Sequence, residues 1–181
     1  DYWDYLGWKD TLASPKFTQR QRAYAKTRGD GQVYTPQLIV NGGAHMAGSR
    51  KADIDRALLK ASASDAAQRV TLDAKIENGH LVVDASGLPE GAAPVKDATL
   101  WLAVMAPKVE VIVRRGENQG KTLAYHNVVR ELTPVGMWSG KPMTVRLERH
   151  AVMQPGTESC AVFLQQGPAG PILAGALVRQ W

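Results

Sequence analysis

Few side chains in this sequence could do nucleophilic, redox or metal chemistry, and those few are scattered. Cys160 is the only cysteine, so no intramolecular disulfide and no Cys-x-x-Cys pair can form from this sequence. It lies in the apolar run 160–164, which is typical of an inert, buried thiol. None of the histidines has the spacing to Cys or Glu that is typical of metal ligands, and there is no nucleophile elbow. We therefore predict no metal site, no cofactor and no catalytic triad. The histidines are His45, His80, His126 and His150.

The stretch 115–122 resembles a phosphate-binding loop but has the wrong spacing. Gly116 and Gly120 enclose three residues where that loop requires four, and a strand rather than a helix is predicted to follow. We interpret the stretch as a hairpin turn. Polar residues in and after it are unusual for strands, and they either form a second site or an interdomain contact or have a structural role alone. These residues are Glu117, Asn118, His126, Asn127, Arg130 and Glu131.

The elements that must position these residues alternate between helix and strand in the first third of the chain. Ser14-Pro15 predicts a helix with Ser14 as N-cap, which should end at Gly29-Asp30-Gly31. A strand over 37–40 follows, and Asn41-Gly42 predicts a hairpin turn into a second strand. Ser49 should then cap a second helix with an apolar stripe.

Beyond residue 66 the pattern has a period of two with frequent turn signals, which is typical of an all-β sandwich or barrel. Glu77-Asn78-Gly79 predicts a type I′ hairpin. We place a domain boundary in the small, polar run at 63–68, so that residues 67–181 form an antiparallel β-sandwich or barrel-like domain. The predicted strands are 70–76, 80–83, 98–105, 109–115, 121–132, 143–150, 160–165 and 172–179.

Composition and charge exclude two classes of protein. With 44% hydrophobic and 22% charged residues the sequence is typical of a globular protein, and its net charge of +5 is spread along the chain. The densest basic group lies on the first predicted helix, and we interpret it as a solvated face. No apolar run approaches the ~18 residues of a membrane span. We therefore predict no nucleic-acid partner and no membrane span. The basic group is Lys16, Arg20, Arg22, Lys26 and Arg28.

Several motifs together resemble those of a family of secreted, thioredoxin-like bacterial proteins of unknown function. The resemblance covers essentially the whole chain. It implies an α+β fold, in which residues 1–64 are the C-terminal part of a thioredoxin-like α/β domain, and a secreted or periplasmic location. The motifs are Asp1-Tyr2-Trp3-Asp4-Tyr5-Leu6-Gly7-Trp8, Ser14-Pro15, Tyr34-Thr35-Pro36-Gln37, Arg115-Gly116-Glu117-Asn118-Gln119-Gly120 and Tyr125-His126-Asn127-Val128-Val129-Arg130.

The same resemblance implies an activity that this sequence cannot perform alone. The family carries a Cys-x-x-Cys-Pro motif upstream of the point where this sequence begins. The parent protein would then be a thiol:disulfide oxidoreductase of the cell envelope, while this chain, without both sulfurs, should be inactive in dithiol exchange. The alternative is a non-catalytic binding or interaction module on a thioredoxin-like scaffold. Expected partners are a thiol or disulfide protein substrate, the missing N-terminal segment, or another copy of the chain.

The resemblance also implies where a substrate would bind. It places Thr35-Pro36 beside the absent thiols, where Thr35 would offer backbone hydrogen bonds to an extended substrate. The alternative is a structural proline turn. Asp1, Trp3, Asp4 and Trp8 would follow a strand end on the side where open α/β sheets bind ligands. There they would line a peptide groove or tune a thiol, or else Trp3 and Trp8 would anchor a loop to the core.

Overall fold

The chain is built mainly from antiparallel sheets. The computed structural model describes residues 10–63, 70–95, 98–115 and 118–179, in which sheets of two, three and four strands are accompanied by three helices. The elements in chain order are α1 (Pro15–Arg28), β1 (Gln37–Val40), β2 (Ala44–Ala47), α2 (Lys51–Ser62), β3 (Leu72–Glu77), β4 (His80–Ala85), β5 (Ala98–Ile112), β6 (Thr122–Trp138), β7 (Met143–Glu148), α3 (Arg149–Val152), β8 (Ser159–Gln166) and β9 (Ile172–Val178).

The strands after residue 70 form two sheets that share one core. Three strands pair in the order β3-β4-β7 and four in the order β6-β5-β8-β9. Alternate side chains of each sheet point inward, where Leu81 meets Leu100 and Leu164 in one apolar cluster. Trp138 belongs to the same cluster, and its Nε1 donates to the Ser86 carbonyl at 3.1 Å. The indole is thus buried without an unpaired donor.

Strands β5 and β6 are both longer than the sequence predicts, since β6 was expected to end at 132 but continues through Pro134 to Trp138. Two strands are expected over 98–105 and 109–115, but β5 runs without a break through Pro107 to Ile112. The pairing of β5 with β6 skips from Ala106 to Lys108, and Asn127 on the opposite strand has a φ of 51°. This irregularity accommodates a proline that cannot donate to the ladder. As a result β5 and β6 form one long hairpin.

Local signals in the first third are mostly confirmed. The Ser14 hydroxyl accepts from Lys16 N at 3.2 Å at the start of α1, and Gly29 ends that helix in the left-handed conformation. Asn41-Gly42 turns β1 into β2 as predicted. The prediction that Ser49 caps α2 is wrong, because Arg50 occupies the cap position and no side chain bonds to the free amides there.

The prediction of a partial thioredoxin-like α/β domain over residues 1–64 is wrong. Residues 10–63 form two helices and the antiparallel pair β1-β2, and no parallel strands pair anywhere in the described residues. Caps and turns are local signals that determine helix ends and the β1-β2 hairpin, whereas a thioredoxin-like domain also depends on parallel pairing between distant strands, which local signals do not determine. The predicted boundary at 63–68 falls on residues that, apart from Ala63, lie outside the described ranges.

Helix α1 is fixed to the outer face of the four-stranded sheet. Trp101 and Phe163 alternate with the core residues of β5 and β8, so their rings project away from the core. The guanidinium carbon of Arg20 in α1 lies 5.1 Å from the Trp101 ring centroid and 5.5 Å from that of Phe163. The β1-β2 turn is held as well, because Ile172 N donates to the Asn41 carbonyl at 2.9 Å. The first third and the β-sheets are therefore in direct contact.

Candidate functional site

A groove with a volume of about 440 Å³ lies between α1 and β1. Its apolar lining is largely aromatic, and its floor is the segment that leads into β1. The predicted substrate-binding residues Thr35 and Pro36 both line it and both are exposed. The Thr35-Pro36 peptide bond is cis. The groove is lined on the α1 side by Phe17, Arg20 and Tyr24, and on the side of residues 34–39 by Tyr34, Pro36 and Ile39.

Side-chain hydrogen bonds fix the width of this groove. Gln21 Nε2 donates to the Tyr34 carbonyl at 3.0 Å and to Gln37 Oε1 at 2.7 Å. Gln21 belongs to α1, whereas Tyr34 and Gln37 belong to the segment that enters β1. The two walls are therefore connected directly, and the space between them is pre-formed rather than created by a ligand.

Within the described residues, one edge of β1, a strand that lines the groove, is unpaired. Gly48 N donates to the Pro36 carbonyl at 2.9 Å, which makes this a hydrogen-bonded pair at the end of the β1-β2 ladder. In an antiparallel pair these alternate with non-bonded pairs, so the N–H and C=O groups of Gln37 and Ile39 point away from β2. No strand of the described residues pairs with this edge. β1 thus offers outward backbone donors and acceptors beside an apolar groove.

A chain of polar contacts lies at the end of the groove and includes Tyr34. The Tyr34 hydroxyl lies 3.0 Å from His45 Nδ1, and His45 Nε2 lies 3.0 Å from Asp30 Oδ2. Arg28 donates to both carboxylate oxygens of Asp30, at 2.8 and 3.1 Å. These bonds and the backbone N–H of Gln32 lower the pKa of Asp30 to about 2. A carboxylate that is ionised at neutral pH therefore contacts the imidazole, which in turn contacts the phenol.

A second depression, of about 450 Å³, begins on the other side of Tyr34 and His45. Arg50 and Arg56 line it, but the carboxylate of Asp53 lies 3.8 and 3.4 Å from their nitrogens. All three side chains are substantially exposed, so water screens these pairs and they contribute little. The lining therefore carries one net positive charge, on exposed side chains whose field water screens.

The sequence analysis did not predict that Asp30 and His45 form a pair. The position of His45 could be predicted from the sequence, but its contact with Asp30 could not. The Asn41-Gly42 turn fixes the β1-β2 register, which puts His45 opposite Ile39. Asp30, however, reaches His45 only because the chain folds back after α1, and no spacing rule encodes that return. Arg20 likewise was interpreted as part of a solvated face, whereas three aromatic rings surround it.

Cys160 has the properties of an inert thiol. Its side chain is fully buried in the core between the sheets, and burial raises its pKa to about 12. A thiol that stays protonated at physiological pH and has no contact with solvent is neither a nucleophile nor a metal ligand. In the ranges that the structure describes, no group of three or more His, Cys, Asp or Glu side chains could hold a metal ion.

The structure does not bring the proposed second site together. Asn118 lies in the turn between β5 and β6, whereas His126, Asn127 and Arg130 lie along β6 and are exposed. His126 and Arg130 are four residues apart on one strand, a separation of about 13 Å. Glu131 does contact α1, since its carboxylate lies 3.6 Å from Lys16 Nζ, but the pair is exposed and adds little.

Some predicted site residues fall outside the described ranges. The substrate-binding candidates Trp3, Asp4 and Trp8, with the neighbouring Asp1, precede residue 10, and Glu117 falls in the gap at 116–117. Their roles stay predictions. None of the helices in the described residues has the length and hydrophobicity that a membrane crossing requires.

Comparison with known proteins decides the family. The family described as "Protein of unknown function (DUF1223)" matches residues 1–165, which is most of the chain. The chain belongs to this family. The resemblance to a family of unknown function is thus confirmed, but nothing in the comparison shows that DUF1223 proteins are thioredoxin-like or secreted.

A solved structure resembles this DUF1223 protein over nearly its whole length. It is the X-ray crystal structure of protein AGR_C_4864 from Agrobacterium tumefaciens, with 30% sequence identity and a TM-score of 0.81. The match covers 98% of this chain and 76% of that chain. Comparison with curated proteins gave no significant match. The comparisons therefore support the fold and the family and carry no activity to this chain.

Proposed function

We propose that this DUF1223 protein is a non-catalytic binding module that takes up an extended polypeptide in the groove between α1 and β1. The observation that carries the proposal is the open edge of β1 along an apolar, pre-formed groove. The ligand would add a strand to β1 and place alternate side chains against the aromatic lining.

The length of the β1 edge determines the length of the peptide segment that we expect it to bind. β1 has four residues, and two of them, Gln37 and Ile39, direct both of their backbone polar groups outward. The edge can therefore form up to about four main-chain hydrogen bonds with a segment of about four to five residues. Each such bond contributes about 0.5–1.5 kcal/mol, so side-chain contacts with Phe17, Tyr24 and Tyr34 must supply the rest of the affinity.

The same edge explains why a polypeptide is favoured over a small molecule. Unpaired strand edges are templates for pairing with another chain, and natural proteins usually protect them with charges, proline or a covering element. Gln37 and Ile39 carry no charge, and Pro36 precedes the edge without covering it. Another copy of this chain is the competing occupant, and it would appear as a dimer.

The thiol:disulfide oxidoreductase prediction gains no support from the described residues. The one thiol in the sequence is buried and protonated, and the contacts around Thr35-Pro36 involve amide and aromatic groups. A secreted or periplasmic location likewise stays a prediction, which localisation of the tagged protein would test.

Ile39→Pro tests the proposal. At an edge position whose N–H faces away from the ladder, proline removes one outward donor and obstructs an incoming strand without breaking the β1-β2 pairing. We expect at least a tenfold loss of affinity for a fluorescent eight-residue peptide of alternating Thr and Val with a central Glu, measured by anisotropy. The matched control Ile39→Val keeps the N–H and a β-branched side chain and should bind as the wild type does. Equal binding by all three proteins would contradict strand addition, and light scattering would reveal a dimer that Ile39→Pro disrupts.

A further inference from the structure

Arg20 is the one charged side chain among the described residues that line the groove. Its neighbours there are aromatic, aliphatic, hydroxyl or amide groups, so nothing in the lining offsets its positive charge. No carboxylate of the described residues lies within ion-pair distance of its guanidinium, although other arginines of the first third, such as Arg28 and Arg50, have acidic partners. The described lining of the groove therefore carries a net positive charge.

The surroundings of Arg20 hold the guanidinium rigidly but use only part of its hydrogen-bonding capacity. The guanidinium carbon lies 5.1–5.5 Å from the ring centroids of Tyr24, Trp101 and Phe163. Nη2 donates to the Tyr24 hydroxyl at 3.0 Å and to Gln165 Oε1. Among the described residues, no acceptor bonds to Nε or Nη1. Two donor nitrogens of a fixed cation thus have no hydrogen-bond partner within the described part of the chain.

A half-buried cation without a counter-ion favours an anionic ligand. Burial removes part of the hydration of the charge, and the faces of aromatic rings compensate for only a fraction of it. A carboxylate that reaches Nε or Nη1 would form a charge-assisted hydrogen bond, which is stronger than a neutral one. Because the three rings and Gln165 hold Arg20 in place, little side-chain entropy is lost when the ligand binds.

We propose that the polypeptide in the groove presents a carboxylate, from an acidic side chain, to Arg20. This inference rests on the proposed strand addition and adds its specificity: β1 binds the backbone of the ligand, and Arg20 selects a segment that carries Asp or Glu. Arg20 is a specificity-determining residue in this account, while Tyr24 and Gln165 position it.

The experiment compares three fluorescent peptides of alternating Thr and Val on the wild type. The first is amidated with a central Glu, the second is amidated with a central Gln, and the third has the central Gln and a free C-terminus. We expect the Glu peptide to bind about tenfold more tightly than the amidated Gln peptide, a preference that should decrease as ionic strength rises. Preferential binding of the free C-terminus instead of Glu would overturn the choice of an acidic side chain.

Variants of α1 show whether Arg20 causes the preference. Arg20→Gln should abolish the preference, so that the Glu peptide and the amidated Gln peptide bind it equally, whereas Arg20→Lys should keep a reduced preference. Lys26→Gln removes the same charge from an exposed position of the same helix and should leave the preference intact. A preference that survives Arg20→Gln, or that Lys26→Gln abolishes equally, would overturn the proposal.

The outcomes separate this inference from the proposed function. Equal binding of the Glu and Gln peptides to the wild type would overturn the role of Arg20 while leaving strand addition in place. Failure of all three peptides to bind the wild type would overturn both. If Arg20→Gln does not fold, as circular dichroism would show, Arg20→Lys decides the matter, since a preference equal to that of the wild type would overturn the role of the planar guanidinium.

Discussion

Replacing Gln165 with Leu should weaken the attachment of α1 to the four-stranded sheet. Gln165 is fully buried, and its Nε2 donates to the Tyr24 hydroxyl at 2.9 Å and to the Gly170 carbonyl at 2.8 Å, while its Oε1 accepts from Arg20. A leucine of similar size fills the space but makes none of these bonds. The perturbation therefore removes hydrogen bonds with little change in volume.

The size of the stability loss depends on which polar groups are left without a hydrogen-bond partner in Gln165→Leu. Arg20 and Tyr24 keep their mutual bond at 3.0 Å, so each loses only one of two contacts, whereas the Gly170 carbonyl loses the donor that Gln165 supplied. Leaving a buried acceptor unpaired costs about 1–3 kcal/mol, and the two weakened partners add to this. We expect a loss of about 2–3 kcal/mol in the free energy of unfolding, or about 4–12 °C in Tm for a chain of this size.

Urea denaturation monitored by tryptophan fluorescence measures this loss. The midpoint should fall for Gln165→Leu while the slope m stays constant, since the surface exposed on unfolding is the same. Gln166→Leu is the matched control, because that side chain is half-exposed and makes no hydrogen bond within the described residues. It should change the free energy of unfolding by no more than about 0.5 kcal/mol. Equal midpoints for Gln165→Leu and the wild type would refute the reasoning.

Three further predictions test other parts of the structure. Because burial raises the pKa of Cys160 to about 12, its thiol should not react with a chromogenic disulfide at pH 8 until urea unfolds the protein. Rapid labelling of the folded protein would contradict the burial of this thiol. The pKa of Asp30 is lowered to about 2, so the ionised carboxylate stabilises the fold above the unfolded pKa of about 4, and this stabilisation is lost as pH falls toward 2. Asp30→Asn lacks this titration, so its Tm should decrease less than that of the wild type between pH 4 and pH 2. Parallel curves of Tm against pH for the two proteins would refute this. Gly42→Ala and Gly79→Ala both put alanine at a positive φ, which costs about 1–2 kcal/mol. Only the methyl group at position 42 would also overlap the Gly170 carbonyl, so urea denaturation should show a larger loss of stability for Gly42→Ala. Equal losses for the two variants would contradict the contact.

Local structure was readable from the sequence where a few adjacent residues determine it. Ser14-Pro15 and Gly29 fix the ends of α1, and Asn78-Gly79, both with positive φ, form the predicted hairpin turn. In the first third the pairing of β1 with β2 was readable from the Asn41-Gly42 turn, but the type of domain was not, because it depends on residues far away in the chain. The same helix and hairpin signals are compatible with a thioredoxin-like half and with the antiparallel arrangement that forms.

The candidate site was predictable only in part for the same reason. Tyr34-Thr35-Pro36-Gln37 stands out in the sequence, and all four of its residues line the groove beside β1. Arg20 and Gln165, by contrast, are 145 positions apart and meet only in the folded chain. A basic residue on an amphipathic helix gives no sign of whether it faces water or aromatic rings.

Amide hydrogen exchange by NMR, with and without the Glu-containing peptide, tests the central claim most directly. If the peptide adds a strand to β1, the outward N–H groups of Gln37 and Ile39 should gain protection, while those of Leu38 and Val40, which face β2, should change little. Binding that leaves the exchange of Gln37 and Ile39 unchanged would contradict strand addition at this edge.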